Sequence, residues 1–186
     1  MVGKRRSGRA GAVAAGVLLA VVSLGLPSSA APRTEQQPER VSLRPADAPG
    51  QAATVAGASR QPRARVVGAP WAAASHQLWE LRPTAGGHYQ LVSVHSGLCL
   101  DVSGQADLDG APAVQDGCRV GDWSDGRTHG QQWRFVRDGD GYRLVARGSG
   151  KCLAVPGSGG STPQLAQYPC DRRGRATWLA VSHPVA

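Results

Sequence analysis

The stretches "HYQLVSVHSGLCLDVSG" (His88–Gly104) and "GYRLVARGSGKCLAVPG" (Gly141–Gly157) decide the architecture, because they are two copies of one pattern. Each reads Tyr-x-Leu-Val, then Ser-Gly-x-Cys-Leu, then Val-x-Gly, with an offset of 53 residues from Tyr89 to Tyr142 and from Cys99 to Cys152. Self-similarity at such a period marks a repeated unit that must lean on its neighbours to bury an apolar face. Cys118 and Cys170 follow the first cysteine of each copy by 19 and 18 residues, and Trp133 and Trp178 follow in turn. A third tryptophan of this kind, Trp79, has no cysteine before it. Reading back from it, "PGQAATVAG" (Pro49–Gly57) lies over "SGLCLDVSG", with Ala52 in the place of Cys99 and Thr54 in that of Asp101. Trp71 stands 19 residues after Ala52, where the second half-cystine would fall.

Three repeats follow from this alignment, roughly 40–81, 87–136 and 141–181, the first of them degenerate. Four cysteines allow three pairings. The repeats select Cys99–Cys118 and Cys152–Cys170, one staple inside each unit, each closing a loop of about 20 residues and worth about 3 kcal/mol. The first repeat lost both half-cystines together, so it must rely on the packing of Trp71 and Trp79. Short alternating apolar runs and Gly-rich turns indicate strands throughout, and "RDGDGY" (Arg137–Tyr142) contains an Asp-Gly hairpin turn. Tyr89, Leu91, Tyr142 and Leu144 are expected to alternate inward, and Trp79, Trp133 and Trp178 to occupy equivalent places in one shared core.

The chain opens with Lys4, Arg5, Arg6 and Arg9, an apolar run from Ala10 to Leu26, and small residues at Ser28 and Ala30. This is the pattern of a secretory signal peptide cleaved after Ala30, which implies a secreted, extracellular protein with no membrane span after cleavage. The apolar run is short for a span and is interrupted by Gly16, Ser23 and Gly25. These 30 residues hold four of the 21 Lys+Arg and none of the 13 Asp+Glu, so the formal charge of +8 falls to about +4 on cleavage. With Lys151 the only lysine left, there is no Lys-rich tail for nucleic acid, and none is expected as a partner. Residues 31–39 read as a polar, disordered linker, and the rest as a single domain and a monomer.

The residues that repeat also carry a family resemblance. Cys-Leu-Asp-Val near the start of a repeat, Gln-x-Trp at its end and three repeats behind a signal peptide resemble the ricin B-chain type lectins. The resemblance implies an all-β fold, a twelve-stranded β-trefoil, and binding of neutral galactose- or xylan-type sugars at up to three shallow pockets. In that family a carboxylate two residues after the first cysteine accepts from two sugar hydroxyls. An aromatic two residues before the second cysteine carries the apolar sugar face, and an amide three residues before the tryptophan completes the ring of contacts. The first repeat has Thr54, Ala69 and His76 at these places, so its polar set is gone. The third has Ala154, Tyr168 and Arg175, which keeps a stacking ring without an acceptor, and its closing glutamine is replaced by Ala176.

The second repeat has Asp101, then Asp116 and Gly130 at the aromatic and amide places. Cys118 to Trp133 spans 15 residues, against eight in the other repeats, and the insertion carries Trp123 and His129. One reading makes Trp123 a replacement platform over Asp101, with His129 or Gln115 in the role of the missing amide. The other leaves Trp123 pinning the insertion, Asp101 capping the turn at Ser103 and Gly104, and His129 solvated. Gln131 is expected to be structural. Arg172, Arg173 and Arg175 crowd one loop and suit sulfate or carboxylate groups, which extends the candidate ligands to an acidic polysaccharide.

No phosphate loop, zinc-protease or nucleophile-elbow motif is present. "DLDG" (Asp107–Gly110) and "DGDG" (Asp138–Gly141) are turns without the spaced acids of a calcium loop, so neither metal nor cofactor is expected. Nothing pairs two carboxylates across a cleft as glycoside hydrolysis needs. The sequence therefore points to a lectin-like binding module and not an enzyme. The competing reading is a trefoil without sugar binding that serves as an inhibitor or protein-interaction scaffold.

Overall fold

A computed structural model describes residues 39–105, 107–120, 129–157, 162–171 and 176–184. The expected leader, all of the expected linker except Glu39, Trp123, and the arginines at 172, 173 and 175 lie outside the described residues.

Six strands close into a ring: β1 (Arg40–Pro45), β4 (Trp79–Thr84), β5 (His88–Ser93), β8 (Trp133–Asp138), β9 (Gly141–Ala146) and β12 (Thr177–His183). Each is antiparallel to the next, and β12 pairs back onto β1. Closure leaves this barrel with no edge strand to template aggregation. Three hairpins lie off the ring: β2 (Gln51–Val55) with β3 (Val66–Pro70), β6 (Cys99–Val102) with β7 (Ala113–Asp116), and β10 (Cys152–Ala154) with β11 (Ala166–Tyr168). Single bridges join them cyclically: Arg65 to Val114, Pro112 to Ala166, and Gln164 back to Val67. Twelve strands in three sets of four, joined around a common axis, make a β-trefoil.

The core shows why the three copies must agree. Leu43, Leu91 and Leu144 are fully buried at equivalent places in the first strand of each repeat, and so are Trp79, Trp133 and Trp178 in the last. A buried indole N–H needs an acceptor. Each finds one in the hairpin of its own repeat: Ala53 O at 3.1 Å, Leu100 O at 3.2 Å and Leu153 O at 2.8 Å. The expected inward alternation holds for Leu91 and Leu144. Tyr89 and Tyr142 are only half-buried, packing edge-on against Phe135 between them.

Both disulfides join the pairs that the repeats select. In the first repeat Trp71 substitutes for a half-cystine without entering the core. Its ring lies 4.4 Å from the Arg44 guanidinium and 5.3 Å from the His183 ring, while Arg44 Nε and His183 Nε2 both meet the buried Ser42 Oγ. The β8–β9 hairpin turns through Gly139 at φ 58°, as the Asp-Gly pair requires. At Gly141 a Cβ would sit 2.6 Å from Trp178 O, so close approach of two strands demands glycine there.

Candidate functional site

In the β6–β7 hairpin, alternation puts Leu100 and Val102 into the core and Cys99 and Asp101 on the opposite face. Cross-strand register sets Cys99 beside Asp116 and Asp101 beside Val114. Asp101 is 2% exposed, which is unusual for a carboxylate. Its Oδ2 accepts from Gln131 Nε2 at 3.0 Å and lies 3.5 Å from Arg119 Nη1. Its Oδ1 has no hydrogen-bond partner among the described residues. Burial pushes the Asp101 carboxyl above its ordinary value, against the lowering effects of Gln131, Arg119 and the Val102 amide, with Asp116 adding to the rise.

This carboxylate lines the floor of a depression of about 180 Å³ whose other walls include Arg63, Ser103, Gly104, Asp116 and Arg119. None of the described residues lining it is aromatic. A polar, open hollow with one unsatisfied buried acceptor can receive hydroxyl donors from a ligand about the size of one sugar ring.

Gln131 is the brace that makes the site. It ends the 3-10 turn His129–Gln131 and is fully buried. Besides Asp101, its Nε2 donates to Gly117 O at 2.9 Å, and its Oε1 accepts from Arg119 N at 2.9 Å. The first repeat reproduces this brace residue for residue. Gln77 Nε2 donates to Thr54 Oγ1 at 3.0 Å and to Pro70 O at 2.8 Å, and Gln77 Oε1 accepts from Ala72 N at 2.8 Å. Thr54 Oγ1 in turn donates to Ala52 O, so its hydroxyl is committed to the protein. The third repeat replaces both members by alanine: Ala154 and Ala176 are buried together beside Cys152. The three copies thus hold a Gln–Thr pair, a Gln–Asp pair and an Ala–Ala pair at one position, and the Gln–Asp pair leaves a carboxylate oxygen without a hydrogen-bond partner among the described residues.

The other sequence-derived candidates are distributed around this site unevenly. Gln115 pairs with Leu100, so it faces away from Asp101. Its Oε1 accepts from Ser96 Oγ at 2.7 Å, and its Nε2 donates to Ser59 O and Gln61 O, both at 2.9 Å. The structure does not bring it to the pocket; it ties a loop of the first repeat onto the second. His129 turns its Cβ toward Gly148 in the β9–β10 turn, and its carbonyl accepts from Gly148 N. Tyr168 sits opposite Cys152 in the third repeat, half-buried, with its hydroxyl 3.6 Å from where a Cβ on Gly110 would be. Arg63 and Arg119 were not among the candidates. Arg119 directly follows a half-cystine, and Arg63 belongs to a different repeat, so only the fold joins them to Asp101. Among the described residues no group of three or more His, Cys, Asp or Glu side chains could hold a metal ion.

Fold and site together define a trefoil of the lectin class, with one repeat retaining its carboxylate. The chain matches the family described as ricin-type beta-trefoil lectin domain-like over residues 33–116 and 129–184, and it belongs to that family. No protein of curated function matches it. Among solved structures it is similar to ThreeFoil, a designed 3-fold symmetric protein, at 34% identity and a TM-score of 0.69, covering 76% of this chain and 97% of that one. It is also similar to 1,3Gal43A, an exo-beta-1,3-galactanase from Clostridium thermocellum, at 26% identity and a TM-score of 0.68. That match covers 78% of this chain but only 30% of the galactanase. The Rhizoctonia solani agglutinin shares the fold at 14% identity, with a TM-score of 0.66 over 78% of this chain and 96% of that one.

Proposed function

We propose that this chain is a secreted carbohydrate-binding module, not an enzyme, whose working site is the pocket of the second repeat. The observation that carries this reading is that Asp101, a carboxylate with one oxygen left without a hydrogen-bond partner among the described residues, lines a pocket. An unsatisfied buried acceptor costs about 1–3 kcal/mol, and a ligand that supplies two adjacent hydroxyls removes that cost. The first and third repeats are closed to sugar in this reading, because Thr54 Oγ1 is spoken for and Ala154 offers no acceptor. One shallow site with few contacts gives affinities near the millimolar range, about −4 kcal/mol. Family membership and two disulfides in a chain with an export-type leader support the assignment to an extracellular glycan ligand.

A high-density glycan array tests the reading, with the folded wild type and Asp101→Ala side by side. Binding by the wild type that disappears in the variant is the expected result. A folded wild type that binds no glycan overturns the reading in favour of a protein-interaction scaffold. Equal binding by both proteins moves the site away from Asp101.

A further inference from the structure

Arg63 reaches the Asp101 pocket from another repeat, and the threefold register shows what it has replaced. Arg65 bridges Val114 as Pro112 bridges Ala166, so Arg63 is the counterpart of Gly110. Their backbones behave alike: Arg63 N donates to Gln115 O at 2.7 Å and Gly110 N to Gln167 O at 2.8 Å. Both have left-handed φ, 65° and 80°, a region that favours glycine. Gly110 faces the Tyr168 ring of the third repeat. At the second repeat the same two places are taken by Arg63 and Asp116, so an arginine stands in the wall where the third repeat has glycine and an aromatic ring.

The loop that presents Arg63 is pinned by both amide hydrogens of Gln115, on Ser59 O and Gln61 O. Arg63 itself is exposed, and its guanidinium has neither hydrogen bond nor ion pair among the described residues. The other charges on the pocket are engaged: Arg119 faces Asp101, and Asp116 Oδ1 accepts from Gly117 N at 2.8 Å. The described lining offers no ring on which a neutral sugar could stack. What the described lining does offer is charge-assisted hydrogen bonding, and a guanidinium fork matches a carboxylate through two parallel N–H donors.

We propose that Arg63 selects a uronic-acid sugar: the ring hydroxyl pair donates to Asp101 while the ring carboxylate accepts from Arg63. This rests on the assignment of Asp101 as the hydroxyl acceptor. The test compares methyl galacturonoside with methyl galactoside, and methyl glucuronoside with methyl glucoside, titrated into wild type, Arg63→Gly and Asp101→Ala. Glycine restores the residue found at position 110, so Arg63→Gly should fold with a Tm no lower than wild type. The wild type should bind one uronoside about tenfold more tightly than its neutral partner, with that preference shrinking as NaCl is added. Arg63→Gly should bind each uronoside no more tightly than its neutral partner, while Asp101→Ala should lose binding of both. An uronoside preference that persists in Arg63→Gly, or a wild type that favours the neutral sugars, overturns the role of Arg63 and leaves Asp101 standing. Sugar binding that persists unchanged in Asp101→Ala overturns the underlying site.

Discussion

Replacing Gln131 by alanine should strand the Asp101 carboxylate, and the damage should be partly repaired by removing Asp101 as well. Gln131→Ala deletes the donor to Asp101 Oδ2 and the partners of Gly117 O and Arg119 N. The two backbone groups lie near the surface, where water replaces much of what they lose, at about 0.5–1.5 kcal/mol each. The carboxylate is 2% exposed and would then have Arg119 at 3.5 Å as its main compensation. Leaving it so costs about 1–3 kcal/mol more, for a total of about 4 kcal/mol. Asp101→Ala alone removes a charge that burial already disfavours, and should change stability by less than about 1 kcal/mol. The double variant recreates the apolar pair that Ala154 and Ala176 form in the third repeat. It should be more stable than Gln131→Ala, with a coupling of about 1.5 kcal/mol. Urea unfolding of the four proteins at pH 7, followed by tryptophan fluorescence, measures the cycle. The sign decides: if Asp101→Ala lowers stability in the Gln131→Ala background as much as in wild type, the brace does not hold the carboxylate.

Two further outcomes follow from the same contacts. Because burial raises the folded-state value of Asp101, its protonated form carries stability that is present below the ordinary 3.8 and lost as pH rises through the raised value. Asp101→Asn should therefore match wild type near pH 3 and exceed it increasingly toward pH 7, as thermal unfolding across that range would show; a constant difference would contradict it. Trp71→Ala loses stacking on Arg44 and His183 and should cost about 1–2 kcal/mol, whereas Trp79→Ala empties a fully buried site and should cost about 3–5 kcal/mol. Calorimetric Tm values rank the two, and equal losses would place Trp71 in the core.

The fold was legible because a repeated chain states its constraints more than once. The Tyr-x-Leu-Val strands, the cysteine spacing and the three tryptophans each fix one place in a unit, and the offsets between copies locate the degenerate first repeat through Trp71 and Trp79. The carboxylate was legible for the same reason, since Asp101 is the one acid among Thr54, Asp101 and Ala154. What surrounds it was not. Gln115 is near Asp116 in sequence, but strand alternation turns it to the other face, where it holds a loop. Arg63 is 38 residues before Asp101, and it joins the pocket through contacts between repeats: the bridge of Arg65 to Val114 and the hydrogen bonds of its loop to Gln115. Contacts between repeats depend on how the three units pack, so spacing inside a repeat cannot reveal them.

The central claim is that the hollow above Asp101 is where sugar binds. Amide chemical-shift mapping with methyl glycosides, neutral and uronic, titrated into isotope-labelled protein measures this residue by residue. Saturable millimolar shifts at Asp101, Ser103, Gly104, Val114 and Arg63, absent in Asp101→Ala, are the predicted result. Saturable shifts centred on Thr54 or Tyr168, or none at all in a folded wild type, would contradict it.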